Sequence, residues 1–225
     1  MKKIEVLFVR NDKLMPEDLW LRSLDLIPKN QHLKITKFYN WKDRQASLIG
    51  KLLLKKVIEK NIEKNCISNV KYTKYQKPYL DEDFSFNISH SGEYVVFAYT
   101  LTNDPIGIDI EKINPIMRIE DFHSVLTDIE KSNIYKSEKP IKAFYDLWTI
   151  KEAVSKADGR GLNIPLKEIK INENHIIINT NKWYYKNVSI TTDYKCHIST
   201  SNKNFDVNLV PMTIDNLYET IIKNN

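Results

Sequence analysis

The stretch Ile106-Gly107-Ile108-Asp109-Ile110-Glu111 decides how this chain is read. With the two-residue period of a β-strand, Ile106, Ile108 and Ile110 point to one face, and Gly107, Asp109 and Glu111 to the other. The first face is apolar enough to bury; the second carries two carboxylates with no side chain beside them at Gly107. Carboxylates on one side of a strand repel each other unless a proton or cation compensates them, which points to a hard, oxygen-ligated metal such as Mg²⁺. Charged alternation also suits the solvated outer face of an antiparallel sheet, so the strand alone leaves both readings open.

Working outward, Asn103-Asp104-Pro105 breaks the chain just before this strand. Upstream, Ile4 to Arg10 reads as a strand and Pro16 to Leu26 as a short helix opened by proline. A long helix is expected from Asp43 to Asn65, with Ala46, Ile49, Leu53 and Val57 at three- and four-residue spacing. Its lysines Lys51, Lys55, Lys56 and Lys60 are expected to form a solvated face. Strands follow at Val70 to Tyr75, Phe84 to Ser89 and Tyr94 to Thr100. Downstream, helices are expected over Ile119 to Ser137 and Pro140 to Ala157. Strands come next at Glu168 to Ile171, His175 to Asn179, Trp183 to Thr191 and Lys195 to Thr200, and a helix near Asp215 to Ile222 closes the chain. Helices followed by antiparallel strands, twice, predict an α+β protein of two similar halves, 1–103 and 104–225, with the carboxylate strand just past the junction. Crevices between halves are common ligand sites.

The composition narrows the function classes. The net charge of +5 favours acidic partners, but 34 basic residues set against 29 acidic ones are too balanced for a nonspecific nucleic-acid binder. Only five glycines are present, which argues against a glycine-rich phosphate loop. Cys66 and Cys196 stand far apart, outside any zinc-type spacing, and are expected to be reduced structural thiols. No run approaches the ~18–20 apolar residues of a membrane span, and the opening segment is interrupted by Arg10, Asn11 and Asp12, so a cytoplasmic location is expected.

A second dense segment runs from Phe144-Tyr145-Asp146-Leu147-Trp148 through Thr149-Ile150-Lys151-Glu152-Ala153-Val154-Ser155-Lys156. Pro140 suits its first turn and Asp158-Gly159 its end. Ala143, Leu147, Ile150 and Val154 form a stripe to bury, while Trp148, Glu152 and Lys156 recur at i, i+4 and i+8 on an adjacent face. Glu152 and Lys156 are either an ordinary helix pair or a third metal carboxylate with a phosphate contact. In Phe86-Asn87-Ile88-Ser89-His90-Ser91, Ser85, Asn87 and Ser89 share a face, and His90 lies at the strand end, where it can reach a phosphate or serve as a turn residue.

Together with Lys77-Pro78, these segments, in this order, resemble the 4′-phosphopantetheinyl transferases of the larger, pseudodimeric type that activate surfactin synthetase. The resemblance spans most of the chain except the far C-terminal segment, extending more weakly through Phe38-Tyr39 to Gly50 and through Gly159 to Leu162. It implies two halves related by pseudo-twofold symmetry, each with a small, mainly antiparallel sheet on helices. It also implies transfer of 4′-phosphopantetheine from coenzyme A to a serine of an apo carrier protein of a peptide synthetase, polyketide or fatty-acid system, with release of 3′,5′-ADP. Asp109, Glu111 and Glu152 map onto the metal carboxylates for Mg²⁺ or Mn²⁺. Glu152 is the expected base, and Asp109 and Lys156 complete the catalytic set. Coenzyme A contacts are expected from Lys34, Lys77, Pro78, Ser89, His90, Asp109 and Lys156. Gln31 and Ala46 depart from the basic residues often found upstream, with Arg44 a substitute. A monomer binding neither nucleic acid nor membrane is expected. A Mg²⁺-dependent hydrolase or nucleotidyltransferase is the competing enzyme class, and a basic binding module the nonenzymatic one.

Overall fold

The computed structural model describes residues 2–62, 66–173 and 175–223. Strand β1 (Lys2–Arg10) is followed by helices α1 (Glu17–Asp25), α2 (Lys29–Thr36) and α3 (Trp41–Asn61). Next come strands β2 (Lys71–Tyr72), β3 (Pro78–Tyr79), β4 (Ser85–Ser91), β5 (Tyr94–Thr100) and β6 (Ile106–Lys112). Helices α4 (Asp128–Lys136) and α5 (Pro140–Asp158) lead into β7 (Lys170–Ile171), β8 (Ile176–Ile178), β9 (Asn181–Asn187), β10 (Tyr194–Thr200) and β11 (Phe205–Met212), and α6 (Ile214–Lys223) ends the described chain.

Two sheets carry the fold, one ordered β11-β1-β5-β4 and the other β6-β10-β9-β8-β7. All their pairings are antiparallel except β1 with β11. Strand alternation sorts side chains between two cores. Ile4 and Val6 of β1 and Val96 and Ala98 of β5 meet Ile106, Ile108 and Ile110 of β6 and Cys196 and Ile198 of β10 in a core between the sheets. The opposite neighbours on β1 and β5, Leu7, Val9, Val95 and Phe97, pack on Leu48, Ile49, Leu52 and Leu53 of α3. Helix α5 lies across the outer face of β6 and β10. The layers thus run α3, first sheet, second sheet, α5. This is the expected α+β fold of two halves with small, mainly antiparallel sheets on helices.

Local chemistry sets the element ends. The Asn40 side chain accepts from Lys42 N at 2.9 Å and opens α3. Thr127 and Glu130 form a capping box on α4. Pro140 occupies the first turn of α5, and Gly159 takes the left-handed conformation, φ 93°, at its end.

Several expectations change. The Phe205–Met212 strand falls where none was expected; it pairs with β1, and Leu217 and Ile221 of α6 join the α3 core. Residues 205–223 therefore pack with the first sheet, and the division 1–103/104–225 follows chain order but not sheet membership. Helix α2 was also missed, and the strand expected over Val70–Tyr75 shrinks to Lys71–Tyr72. The expected Trp183–Thr191 strand runs over Asn181–Asn187 instead. The expected helix Ile119–Ser137 divides into a 3₁₀ turn, Ile119–Phe122, and α4. The lysine face of α3 is not uniformly solvated: Lys55 is buried against Glu59, Lys51 and Lys56 are half-buried, and Lys60 alone of the four is exposed. Residues 63–65 of the expected helix, and the Cys66 side chain, lie outside what is described; Cys196 is a free, buried thiol.

Candidate active site

Gly107 lets β6 and α5 touch. A Cβ there would lie 2.1 Å from the Ala153 carbonyl oxygen and 2.3 Å from Ala157 N, so only glycine admits the helix backbone at this distance. Across this contact Lys156 Nζ reaches Asp109 Oδ1 at 2.6 Å. The same ammonium donates to Ser89 Oγ (3.0 Å) and the Ile108 carbonyl (3.3 Å). Ser89 Oγ donates to Asp109 Oδ1 at 3.0 Å, and Ser91 Oγ to Glu111 Oε2 at 2.8 Å. Asp109 is buried, whereas Ser91 and Glu111 are half-buried at the rim.

Burial pushes all three carboxyl groups up, and the Asp109 charge raises the other two further. For Glu111, burial followed by the Asp109 and Glu152 charges gives a pKa of about 7. Glu152 rises through burial and Asp109. For Asp109, burial outweighs Lys156 and Ser89, which favour the charged form. Among the described residues Lys156 is the one cation in ion-pair contact with these carboxylates. Asp109 Oδ2 and Glu152 Oε1 are buried without a hydrogen-bond partner, an expensive arrangement for acceptor atoms unless something electropositive lies between them. Among the described residues no group of three or more acidic, His or Cys side chains is placed so that it could hold a metal ion. The chemistry of the donors nonetheless fits a hard cation, because two unpartnered carboxylate oxygens and a third carboxylate at the rim suit an ion that keeps several waters.

Lys156, the partner of Asp109, also lines a cleft of about 200 Å³ between the halves, together with Tyr75, Gln76, Lys77 and Pro78, Asn87 and Ile88 of β4, and Gly159 and Gly161. The Lys77 ammonium is turned inward, donating to the carbonyls of Ile106 (3.2 Å) and Ala157 (3.0 Å). It thereby closes the C-terminal end of α5 from the other half; burial lowers its pKa to about 8 against the opposing pull of Asp158. What Lys77 offers the cleft beyond that tie is its backbone. His90 is exposed at the end of β4; the surrounding protein desolvates its imidazolium and lowers its pKa, Asp43 opposes this, and Lys156 adds to it.

Lys34 stands outside the cleft lining, exposed on α2 with its ammonium 5.4 Å from the Tyr72 ring centre. Arg44, the expected substitute upstream, lies over Trp20 at 5.7 Å. Lys51 is a cation that sequence reasoning left on the solvated face of α3. It is half-buried, and burial followed by the Lys34 charge lowers its pKa. Nothing in the α3 periodicity separates it from a solvated lysine. His197 was missed: it pairs across the strands with Asp109 and contacts Thr149 Oγ1 through Nδ1 at 2.8 Å. Burial lowers its pKa to about 4, so it adds no positive charge beside the carboxylates.

This two-part arrangement is matched by known proteins. Residues 15–102 match the N-terminal family described as 4′-phosphopantetheinyl transferase, and residues 105–210 match the 4′-phosphopantetheinyl transferase superfamily. The chain is 35% identical over 178 residues to the 4′-phosphopantetheinyl transferase gsp of Aneurinibacillus migulanus, covering 76% of this chain and 72% of that one. It is 33% identical over 156 residues to the 4′-phosphopantetheinyl transferase Sfp of Bacillus subtilis strain 168, covering 67% and 68%. With the human L-aminoadipate-semialdehyde dehydrogenase-phosphopantetheinyl transferase it shares 31% over 169 residues, 67% of this chain and 54% of the relative. The chain belongs to the 4′-phosphopantetheinyl transferase superfamily and is an enzyme of that class. None of these matches favours the hydrolase, nucleotidyltransferase or nonenzymatic alternatives. No helix among the described residues is long and apolar enough to cross a membrane.

Proposed function

We propose that this protein transfers 4′-phosphopantetheine from coenzyme A to a serine of an apo carrier protein, releasing 3′,5′-ADP, with Asp109, Glu111 and Glu152 holding Mg²⁺ or Mn²⁺. The observation that carries the metal assignment is the pair of buried, unpartnered oxygens, Asp109 Oδ2 and Glu152 Oε1, beside the raised carboxyl of Glu111. When bound, the ion offsets charge on the pyrophosphate and its leaving group.

The remaining roles fall to the chain's own groups. At about 200 Å³ the cleft is smaller than the ~300–1,000 Å³ of a site enclosing a whole small ligand, so it takes the nucleotide base while the phosphates lie along its rim. The backbone of Lys77 and Pro78 positions the base. Lys156, which lines the cleft, turns one N–H from its present acceptors to a phosphate oxygen there, with Ser89 and His90 nearby. Lys34, together with Lys51, meets the 3′-phosphate. Glu152 is the group that removes the proton from the attacking serine. The carrier docks on the segment after β6, where Ile116 and Ile129 are 85% and 74% exposed, and the net charge of +5 suits an acidic partner. We place the enzyme in the cytoplasm as a monomer that needs neither nucleic acid nor membrane.

Mass spectrometry of several apo carrier proteins incubated with the enzyme, coenzyme A and Mg²⁺ tests the proposal. The phosphopantetheine mass should appear on the carrier serine and disappear with EDTA. Carriers from both synthetase and fatty-acid systems that stay unmodified would sink the transfer assignment, and modification unaffected by EDTA would sink the metal assignment.

A further inference from the structure

Strand β4 is an edge of the first sheet and β6 an edge of the second. The two lie side by side without a main-chain ladder, and side chains of β4 fill that role. Asn87, Ser89 and Ser91 alternate along β4 and face β6. Asn87 Oδ1 accepts from Ile108 N (2.9 Å), Ser89 Oγ from Ile110 N (3.4 Å) and Ser91 Oγ from Lys112 N (3.1 Å). The N–H groups of Ile108, Ile110 and Lys112 on the β6 edge are thereby satisfied by the other half of the molecule.

The serines differ from Asn87 in what they do next. A hydroxyl that accepts one bond still has a proton to donate. Ser89 donates to Asp109 and Ser91 to Glu111, in each case to the residue just before the one whose N–H it accepts. Asp109 is held by Lys156 as well. Glu111 has no ion-pair partner among the described residues, so the Ser91 hydroxyl, anchored on Lys112 N, is the group that fixes where its carboxyl points. We propose that Ser91 is a positioning residue: from the nucleotide-binding half it holds the Glu111 carboxylate in the orientation the metal site requires. This rests on the assignment of Glu111 as a metal ligand made above.

The test titrates Mn²⁺ calorimetrically into the coenzyme A-saturated full-length wild type and into Ser91→Ala, Ser91→Cys, Ser91→Thr and Glu111→Ala. Holo-carrier formation is timed for the same proteins and for the Ser91→Ala/Glu111→Ala double variant. Residues that orient a metal ligand typically change metal affinity about 10- to 100-fold. Ser91→Ala should bind Mn²⁺ about tenfold more weakly and turn over correspondingly more slowly, with KM for coenzyme A within about twofold of wild type. Ser91→Thr, which restores the hydroxyl, should recover both. Ser91→Cys, of similar size but a weak donor, should behave as Ala does and serves if the Ala variant does not fold. The double variant should be no slower than Glu111→Ala, because Ser91 acts only through Glu111. Wild-type Mn²⁺ affinity in Ser91→Ala and Ser91→Cys, or independent losses in the double variant, would overturn the assignment. Mn²⁺ binding lost in Glu111→Ala but intact in Ser91→Ala removes Ser91 alone; wild-type protein that binds no Mn²⁺ removes the metal reading of Glu111 and the role of Ser91 with it.

Discussion

Replacing Glu111 by Gln in the metal-free protein is expected to stabilise it, by an amount that grows as pH rises from 4.5 to about 7 and holds above it. Burial first, then the charges of Asp109 and Glu152, raise the Glu111 carboxyl to about 7 from an ordinary 4.5. The folded chain therefore keeps a proton that the unfolded chain releases across that interval. Stability falls as pH rises from 4.5 to about 7 and stays low above it. A difference of ~2.5 pH units corresponds to about 3 kcal/mol in full. Glu111 keeps part of its hydration, so about 1–2 kcal/mol is expected. Glutamine removes the charge, keeps the shape and leaves an oxygen for the Ser91 hydroxyl. For a chain of 225 residues, 1 kcal/mol moves the melting temperature by about 2–4 °C. Glu111→Gln should thus melt about 2–8 °C above wild type at pH 8 and level with it at pH 5. Thermal melts in EDTA at several pH values measure this directly. A gain of equal size at both ends of the range, or a loss at pH 8, would show that burial and repulsion do not govern this carboxyl.

Two further outcomes follow from the geometry. Lys156→Ala should weaken coenzyme A binding about ten- to a hundredfold in calorimetric titration, the worth of one charge-assisted hydrogen bond. Lys60→Ala, altering an exposed lysine at the far end of α3, should change it by less than about twofold, and equal affinities in the two variants would remove Lys156 from the site. Gly107→Ala would place a methyl 2.1 Å from the backbone oxygen of Ala153; because backbone on both sides cannot yield, a loss of about 3 kcal/mol or more is expected, and an unchanged melting temperature would contradict the close contact of β6 with α5.

The alternation of Ile106 to Glu111 was legible in the sequence, and the structure keeps it: isoleucines in the core between the sheets, Gly107 and Asp109 under α5. Helix α5 was legible for the same local reasons, a proline in its first turn and a glycine at its end. Strand β11 was missed although Phe205, Val207 and Leu209 alternate with Asp206 and Asn208, a signal that was there to find. Its partner was not there to find, since β1 lies at the other end of the chain and nothing local encodes that parallel pairing. Helix α2 was missed because it buries a single residue, Ile35, and has no side-chain cap. Lys51, Lys55, Lys56 and Lys60 look alike as spacing; neighbours from other elements decide which is solvated.

The sequence by itself determined which residue types share a strand or helix face, because residue type and periodicity are properties of a few consecutive positions. Only the tertiary structure decided their division of labour. Asp109 is buried because α5 crosses at Gly107 and lays Lys156 against it. Glu111 stays at the rim because it lies next to the exposed end of β6 and its partner is a half-buried serine from the neighbouring sheet. Burial and pairing depend on which segments meet in space, and it is burial and pairing that set the charge a carboxyl carries near neutral pH.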